Sequence, residues 1–177
     1  MKVKNKLCNY LKYFFLKKII SSAPIILLFI SVLNEFDFNY LNFKYFSFNF
    51  PYILIFYWSL KGGEKLGYGL VFLAGLINDV VVGLPIGISS VLYLLICGFA
   101  SYLRNITLRP SLVKDWFFFL FTISVVTTIF YIINSIFFLV KVDYYYLLFN
   151  VIFTFIFYYM FSLIFSYYSK FIGKEND

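Results

Sequence analysis

The chain has 177 residues, with fifteen Lys and Arg against eight Asp and Glu, a net charge of +7 and no histidine. It is 63% hydrophobic and only 13% charged. This composition excludes a soluble globular domain, because no charged or polar segment is long enough to build an independent core. We therefore expect a single all-α membrane domain.

Six apolar runs approach or reach the length of about 20 residues that a membrane-spanning helix needs. Together they predict one transmembrane domain over residues 19–169, between a basic N-terminal tail (1–18) and a short C-terminal tail (170–177). The predicted spans are 19–34, 46–60, 66–83, 86–103, 116–140 and 144–169.

The N-terminal segment MKVKNKLCNYLKYFFLKK is basic, and the apolar run after it shows no small-residue cleavage pattern. The first span is therefore predicted to be an uncleaved helix and not a signal peptide. Leu7, Leu11 and Phe14 fall on one helical arc, so the tail is expected to lie along the inner membrane surface. A specific lipid-binding or protein-docking role for this tail is the alternative.

The distribution of basic residues predicts the orientation. If the N-terminus is cytoplasmic, thirteen of the fifteen basic residues fall on the inner side, and only Lys44 and Lys141 fall on the outer side. By the positive-inside rule, this asymmetry predicts six crossings with both termini cytoplasmic. The second span is short, but it is still predicted to cross the membrane. Lys61 and the N-terminal tail can lie on the same side only if two crossings separate them. Pro51 within that span predicts a kink or a late helix start.

The stretch GLINDVVVGLPIG, residues 75–87, places Asp79 inside an otherwise apolar run. Only a few residues separate the third and fourth spans, so the turn between them must be tight. Glycine adopts backbone angles that other residues avoid, and proline favours the start of a helix. The turn is therefore predicted to depend on Gly83, Pro85 and Gly87.

An ionised Asp in a bilayer costs about 2.5 to 3.5 kcal/mol, so Asp79 must be partnered, protonated or close to water. Gly75 and Gly83 lie four residues to either side, as two notches where another helix could approach. The structural interpretation is that Asp79 accepts hydrogen bonds from the start of the next helix, where Ser89, Ser90 and free backbone N–H groups lie. The alternative is a carboxylate that binds a partner or a substrate.

Two later spans carry polar residues at helical spacing. In the last span these are Asn150, Thr154, Tyr158, Ser162 and Ser166. In the fifth they are Ser124, Thr127, Tyr131 and Asn134. Polar ridges of this kind let membrane helices hydrogen-bond one another, so they favour helix packing over a polar transport path.

Several kinds of chemistry are not expected. Without histidine there is no Ser-His-Asp triad, no His-paired cysteine and no common zinc or iron site. Glu35 and Asp37 fit a solvated outer loop better than an acid–base pair, and Cys8 and Cys97 are predicted to lie too far apart for a disulfide. The inner loops explain the positive charge without nucleic acid. We expect no catalytic residue, no metal, no cofactor and no enzymatic activity.

Residues 72–95, FLAGLINDVVVGLPIGISSVLYLL, resemble the signature of the MreD family of bacterial rod-shape-determining membrane proteins. In that signature, Phe-x-x-Gly-Leu-x-x-Asp is followed by Gly-x-Pro-Leu-Gly and an apolar helix. The segment FPYILIFYWSL, residues 50–60, is also similar to the second helix of the family, and Ile86 departs from the signature Leu. The matching positions are Phe72, Gly75, Leu76, Asp79, Gly83, Pro85 and Gly87.

The resemblance implies a non-catalytic, multi-pass protein of the bacterial inner membrane that helps to determine rod shape by scaffolding or regulating wall synthesis. Its implied direct partner is an MreC-like single-span protein, with MreB, RodA and the RodA transpeptidase as indirect partners. The motif positions are then candidates for a partner contact or its structural support. The family also looks similar to the substrate-binding membrane subunits of energy-coupling-factor transporters. The alternative is therefore a vitamin-binding subunit whose outward cavity uses Asp79.

Overall fold

The computed structural model describes residues 22–33, 47–62, 66–107, 111–138 and 144–174, with side chains described as far as residue 167. Within these ranges the chain is helix or connecting turn, without strand, which confirms the all-α expectation for this part of the protein. The helices are α1 (Ser22–Leu33), α2 (Phe50–Gly62), α3 (Tyr68–Val82), α4 (Ile88–Ile106), α5 (Leu112–Phe138) and α6 (Tyr144–Lys174).

The helices follow the six predicted apolar runs, with shifts at some ends. α2 begins at Phe50 because Pro51 fits the first helical turn, where its missing N–H needs no partner. The predicted late start is therefore correct. α5 begins at Leu112, four residues before the predicted boundary, and α6 continues to Lys174, into the segment 170–177 that was predicted to be a tail.

Two sequence predictions fall outside the described residues. The first is the N-terminal tail 1–18, which includes Cys8. The second is the loop with Glu35 and Asp37. Cys97 is described: it is buried within α4, and its sulfur accepts a hydrogen bond from Ser59 at 3.3 Å.

Three of the helices, α4, α5 and α6, are long and apolar enough to cross a membrane. α1 and α3 are apolar but shorter. By length and composition the chain is therefore a membrane protein.

α2 is the most enclosed helix of the bundle. Its residues 53–59 are all buried, so it is covered on every side and not along a single stripe. The ring of Phe56 packs against Phe119 of α5 and Tyr158 of α6, with centroids 5.0 and 5.7 Å away. Residues 53–59 of α2 are therefore enclosed by the other helices of the bundle.

Successive helices run in opposite directions. One end of the bundle combines the C-terminal parts of α1, α3 and α5 with the N-terminal parts of α2, α4 and α6. Residues from all six meet there around one cavity: Val32, Val82, Tyr131, Tyr52, Ser89 and Tyr146. At the opposite end, Lys61 and Arg104 lie near Asp115 around a second cavity. Lys114 lies beside Asp115 in the first turn of α5. We call these the cavity end and the basic end.

Candidate functional site

The turn between α3 and α4 is as tight as predicted. Gly83 follows α3 in the left-handed region, with φ 75° and ψ 27°, and Gly87 precedes α4 with φ 110°. The backbone N–H groups of Gly83 and Leu84 both donate to the carbonyl of Asp79, the latter at 2.8 Å. This is a helix C-terminus closed by a left-handed glycine, a conformation that residues with a Cβ rarely adopt.

The Asp79 side chain closes the hairpin from inside. It is fully buried, and its two oxygens accept different backbone N–H groups: Oδ2 from Gly87 at 2.6 Å and Oδ1 from Ser89 at 2.9 Å. The N–H groups at a helix start have no partner within the helix and carry partial positive charge, which favours a carboxylate there. The structural interpretation of Asp79 is confirmed.

Gly75 lets α3 and α4 approach closely. A Cβ added there would lie 2.4 Å from Ser90 Cα and 2.6 Å from Ser90 N, so the backbone of α4 fills the notch. Beside it, the Ser90 hydroxyl donates to the carbonyl of Phe72 at 3.0 Å. A Cβ at Gly83 would meet nothing within 4 Å. Gly83 is therefore needed for its φ angle and not as a notch. At Gly75 a helix does approach closely, and it is α4 of the same chain.

The remaining motif residues lie around this hairpin. The Pro85 carbonyl accepts the N–H of Ile88 at 3.4 Å, at the entry to α4. Leu76 is half-buried, whereas Phe72 is 41% exposed on the outside of α3. The motif thus has a buried part that holds the hairpin and an outward side chain, that of Phe72, whose residue contributes only its backbone carbonyl.

The polar ridge of α6 packs on the start of α2. Asn49 donates its backbone N–H to Thr154 Oγ1 at 3.1 Å and its side-chain amide to Asn150 Oδ1 at 2.9 Å. Further along the ridge, Tyr158 and Ser162 are also buried. Helix packing, the favoured interpretation of this ridge, is confirmed at Asn150, Thr154 and Tyr158, whereas the Ser162 hydroxyl donates to Tyr159 of its own helix.

The polar ridge of α5 is divided between different surroundings. Thr127 is buried and Tyr131 is half-buried, and both line the cavity at the cavity end. Ser124 is exposed on another side, and the Asn134 amide donates to the carbonyl of Phe130 in its own helix. Helix packing alone does not describe this ridge.

The cavity at the cavity end has a volume of about 260 Å³ and is lined by residues of all six helices. Among the residues that the structure describes, its polar lining consists of Ser, Thr, Asn and Tyr side chains, and none of these lining residues is charged. Asn78 and Ser89 line the cavity. Asp79, which follows Asn78 and accepts the N–H of Ser89, does not line it. The cavity therefore differs from the predicted one that uses Asp79. The lining of the cavity comes from distant parts of the chain. The polar ridge of α5 was the feature of the sequence that could have indicated this cavity.

The basic end carries the other concentration of polar groups. Arg104 Nη1 donates to the carbonyl of Ser59 at 3.4 Å, and Lys61 lies near the ring of Tyr57, with Nζ 5.9 Å from the centroid. Among the described residues, no group of three or more Cys, Asp or Glu could hold a metal ion.

No protein-family model matches this chain, and no curated protein or solved structure matches it significantly either.

Proposed function

We propose that this chain is an MreD-like component of the bacterial inner membrane that holds partner proteins of the wall-elongation machinery and carries out no reaction itself. The observation that carries the proposal is the hydrogen bonding of Asp79. Each of its oxygens accepts a backbone N–H group, one from Gly87 and one from Ser89, and the side chain is fully buried. A carboxylate held in this way fixes the relative position of two helices, and its burial suits that structural role better than contact with a substrate.

The proposed topology has six crossings with both termini in the cytoplasm. It is supported by the alternating directions of the helices and by the grouping of Lys61, Arg104 and Lys114 at one end of the bundle. These are the basic residues whose side chains the structure describes. The positive-inside rule assigns the basic end to the cytoplasm and the cavity end to the outside.

The proposed contact surface for an MreC-like single-span partner is the outward stripe of α3. Phe72, Leu76 and Val80 follow each other at four-residue spacing on this stripe, and Phe72 and Val80 are exposed. Apolar side chains on a membrane protein also face lipid, so exposure alone does not select this surface. Its distinction is that the hydrogen bonds of Asp79 and the close approach of α4 at Gly75 hold the same helix, which makes α3 a rigid surface for helix packing.

A cross-linking experiment tests the partner and the surface together. A photoreactive amino acid is placed at Phe72 or Val80 of α3, and at Ile156 or Leu163 of α6 as controls that are also exposed. Cross-linked proteins from intact cells are then identified by mass spectrometry.

We expect an MreC-like single-span protein to be captured from the α3 positions and not from the α6 positions. Equal capture from both helices would remove the argument for α3. Stoichiometric capture of a pair of transporter ATPases, without wall-synthesis proteins, would favour a transporter subunit over the proposed scaffold.

A further inference from the structure

The second cavity, at the basic end of the bundle, lies where three helices end. It has a volume of about 240 Å³, and its described lining is Leu60, Lys61, Arg104, Thr107 and Asp115. Lys61 lies in the last turn of α2, Arg104 in the last turn of α4 and Asp115 in the first turn of α5. Two basic side chains and one carboxylate from separate helices therefore share one cavity.

The two cations of this lining are positioned by the helices and remain accessible. Arg104 Nη1 donates to the carbonyl of Ser59 at 3.4 Å, so the guanidinium lies against the end of α2. The Lys61 ammonium lies 5.9 Å from the ring centroid of Tyr57, one turn earlier in α2. Both basic side chains are exposed. An ammonium has three N–H donors and a guanidinium has five, so each can bind a further acceptor in the cavity.

The helix ends around this cavity carry excess positive charge, with the adjoining segments included. Residues 61–65 and 104–115 contain five basic residues against two acidic ones, which leaves three positive charges in excess. Glu64, Lys65 and Arg109 lie outside the described residues and are counted by charge alone. Positive charge remains even when both carboxylates pair with a cation, and it attracts an anion to this end of the bundle.

The two cations together suit a phosphate group. A guanidinium can bind two oxygens of a phosphate at once, and an ammonium adds a compact positive charge. Ile106 of α4 and Val113 of α5 are exposed at the same helix ends, so apolar surface adjoins the charged groups. Basic pockets between membrane helices bind the head groups of anionic lipids, whose acyl chains lie along such apolar surface.

We infer that the second cavity binds a phosphate group, carried either by an anionic lipid or by a free phosphate compound. Lys61 and Arg104 bind the phosphate oxygens from α2 and α4. The Asp115 carboxylate repels the same group and so opposes the two cations. This ligand site goes beyond the proposed scaffold role and does not depend on it, because a direct binding measurement tests it.

The test uses the full chain in a nonionic detergent, after removal of the lipid that co-purifies with it. Phosphatidylglycerol and phosphatidylethanolamine with the same acyl chains are titrated, and bound lipid is counted by native mass spectrometry. Both lipids carry a phosphate, but only phosphatidylglycerol has a net negative charge. We expect the first phosphatidylglycerol to bind at least about tenfold more tightly, because the ammonium of phosphatidylethanolamine is repelled by Lys61 and Arg104.

A second arm separates the two sources of the phosphate. Glycerol 3-phosphate, which has the phosphate but no acyl chain, is titrated alone and then in large excess against bound phosphatidylglycerol. Lipid that is not displaced would show that the site takes a lipid head group. Saturable binding of glycerol 3-phosphate that displaces the lipid would show that the site takes a free phosphate compound.

Variants connect the binding to the cavity. Lys61→Gln and Arg104→Gln each remove one cation, and each is expected to weaken binding about three- to tenfold. Asp115→Asn removes the repulsion and should strengthen binding about two- to fivefold. A gain of affinity cannot arise from loss of folded protein, so this variant separates the charge effect from misfolding.

Lys114→Gln is the matched control. It removes the same charge from the same end of the bundle, but Lys114 is not a lining residue of the cavity, so the variant should bind within about twofold of the wild type. The inference is overturned if phosphatidylglycerol is not preferred and glycerol 3-phosphate does not bind. It is also overturned if Lys114→Gln weakens binding as much as the two cavity variants do, or if Asp115→Asn does not strengthen it.

Discussion

Replacing Asp79 with Asn tests whether the buried carboxylate holds the α3–α4 hairpin. Its two oxygens accept separate donors, the N–H of Gly87 at 2.6 Å and the N–H of Ser89 at 2.9 Å. An amide of the same shape has only one acceptor oxygen, and its NH₂ group would face the second N–H donor. Asp79→Asn therefore keeps at most one of the two bonds and leaves a donor unpaired.

The expected loss of stability follows from these two bonds. A hydrogen bond to a charged group contributes about 1.5 to 3 kcal/mol, and an unpaired buried donor costs about 1 to 3 kcal/mol. We expect Asp79→Asn to lower the free energy of unfolding by about 2 to 4 kcal/mol. Asp79→Ala, which loses both bonds, should lower it by about 3 to 6 kcal/mol.

Asp115 provides the matched control, because its carboxylate is also buried but makes no side-chain hydrogen bond among the described residues. Its place in the first turn of α5 is worth about 0.3 to 1 kcal/mol through the helix dipole, and its attraction to the nearby Lys61 adds at most about 1 kcal/mol, so Asp115→Asn should cost less than about 2 kcal/mol. Unfolding is measured in mixed micelles titrated with sodium dodecyl sulfate. An Asp79→Asn protein as stable as the wild type, or as the Asp115→Asn control, would refute this role of the carboxylate.

Three further predictions concern the same fold. Gly75→Ala should lower the free energy of unfolding by about 1 to 3 kcal/mol, because the added Cβ would meet the backbone of Ser90. Gly98→Ala is the control and should not lower it, because the space around Gly98 is open. Equal stability of the two variants would contradict the close approach at Gly75. Gly87→Val should reduce the folded protein recovered from membranes, because valine disfavours φ 110°, and wild-type recovery would show that the turn tolerates a Cβ. A periplasm-active reporter should be active when fused near Asp143 and inactive when fused after Asp177, and the reverse pattern would exclude the proposed topology.

The hairpin could be predicted because its interactions are local. Asp79, Gly83 and Gly87 lie within nine residues of one another, and the rules of helix ends connect a buried carboxylate and two glycines to free N–H groups. The spacing of Gly75 predicted that a helix approaches there. It did not show that the helix is α4 of the same chain, because a notch alone does not identify what fills it.

The cavity and the enclosure of α2 could not be predicted, because both depend on contacts between distant segments. Ser47 and Asn150 meet with Thr127 around one cavity although 103 residues separate Ser47 from Asn150. Periodicity shows that a helix face is polar, but not whether it packs against another helix, as Thr154 does, or borders a space, as Thr127 does. The start of α5 was placed too late because Lys114 and Asp115 marked a membrane boundary, while the helix itself continues through them.

The central claim is that this chain supports elongation of the cell wall, and depletion of the chain in its native bacterium tests it most directly. Wall insertion is followed with fluorescent D-amino acids during depletion, together with cell length and width, and a plasmid copy of the wild-type chain serves as the control. We predict that cells widen and round, and that insertion along the side wall declines before growth stops. Cells that keep their length, width and side-wall insertion after the chain has been depleted would contradict the proposed function.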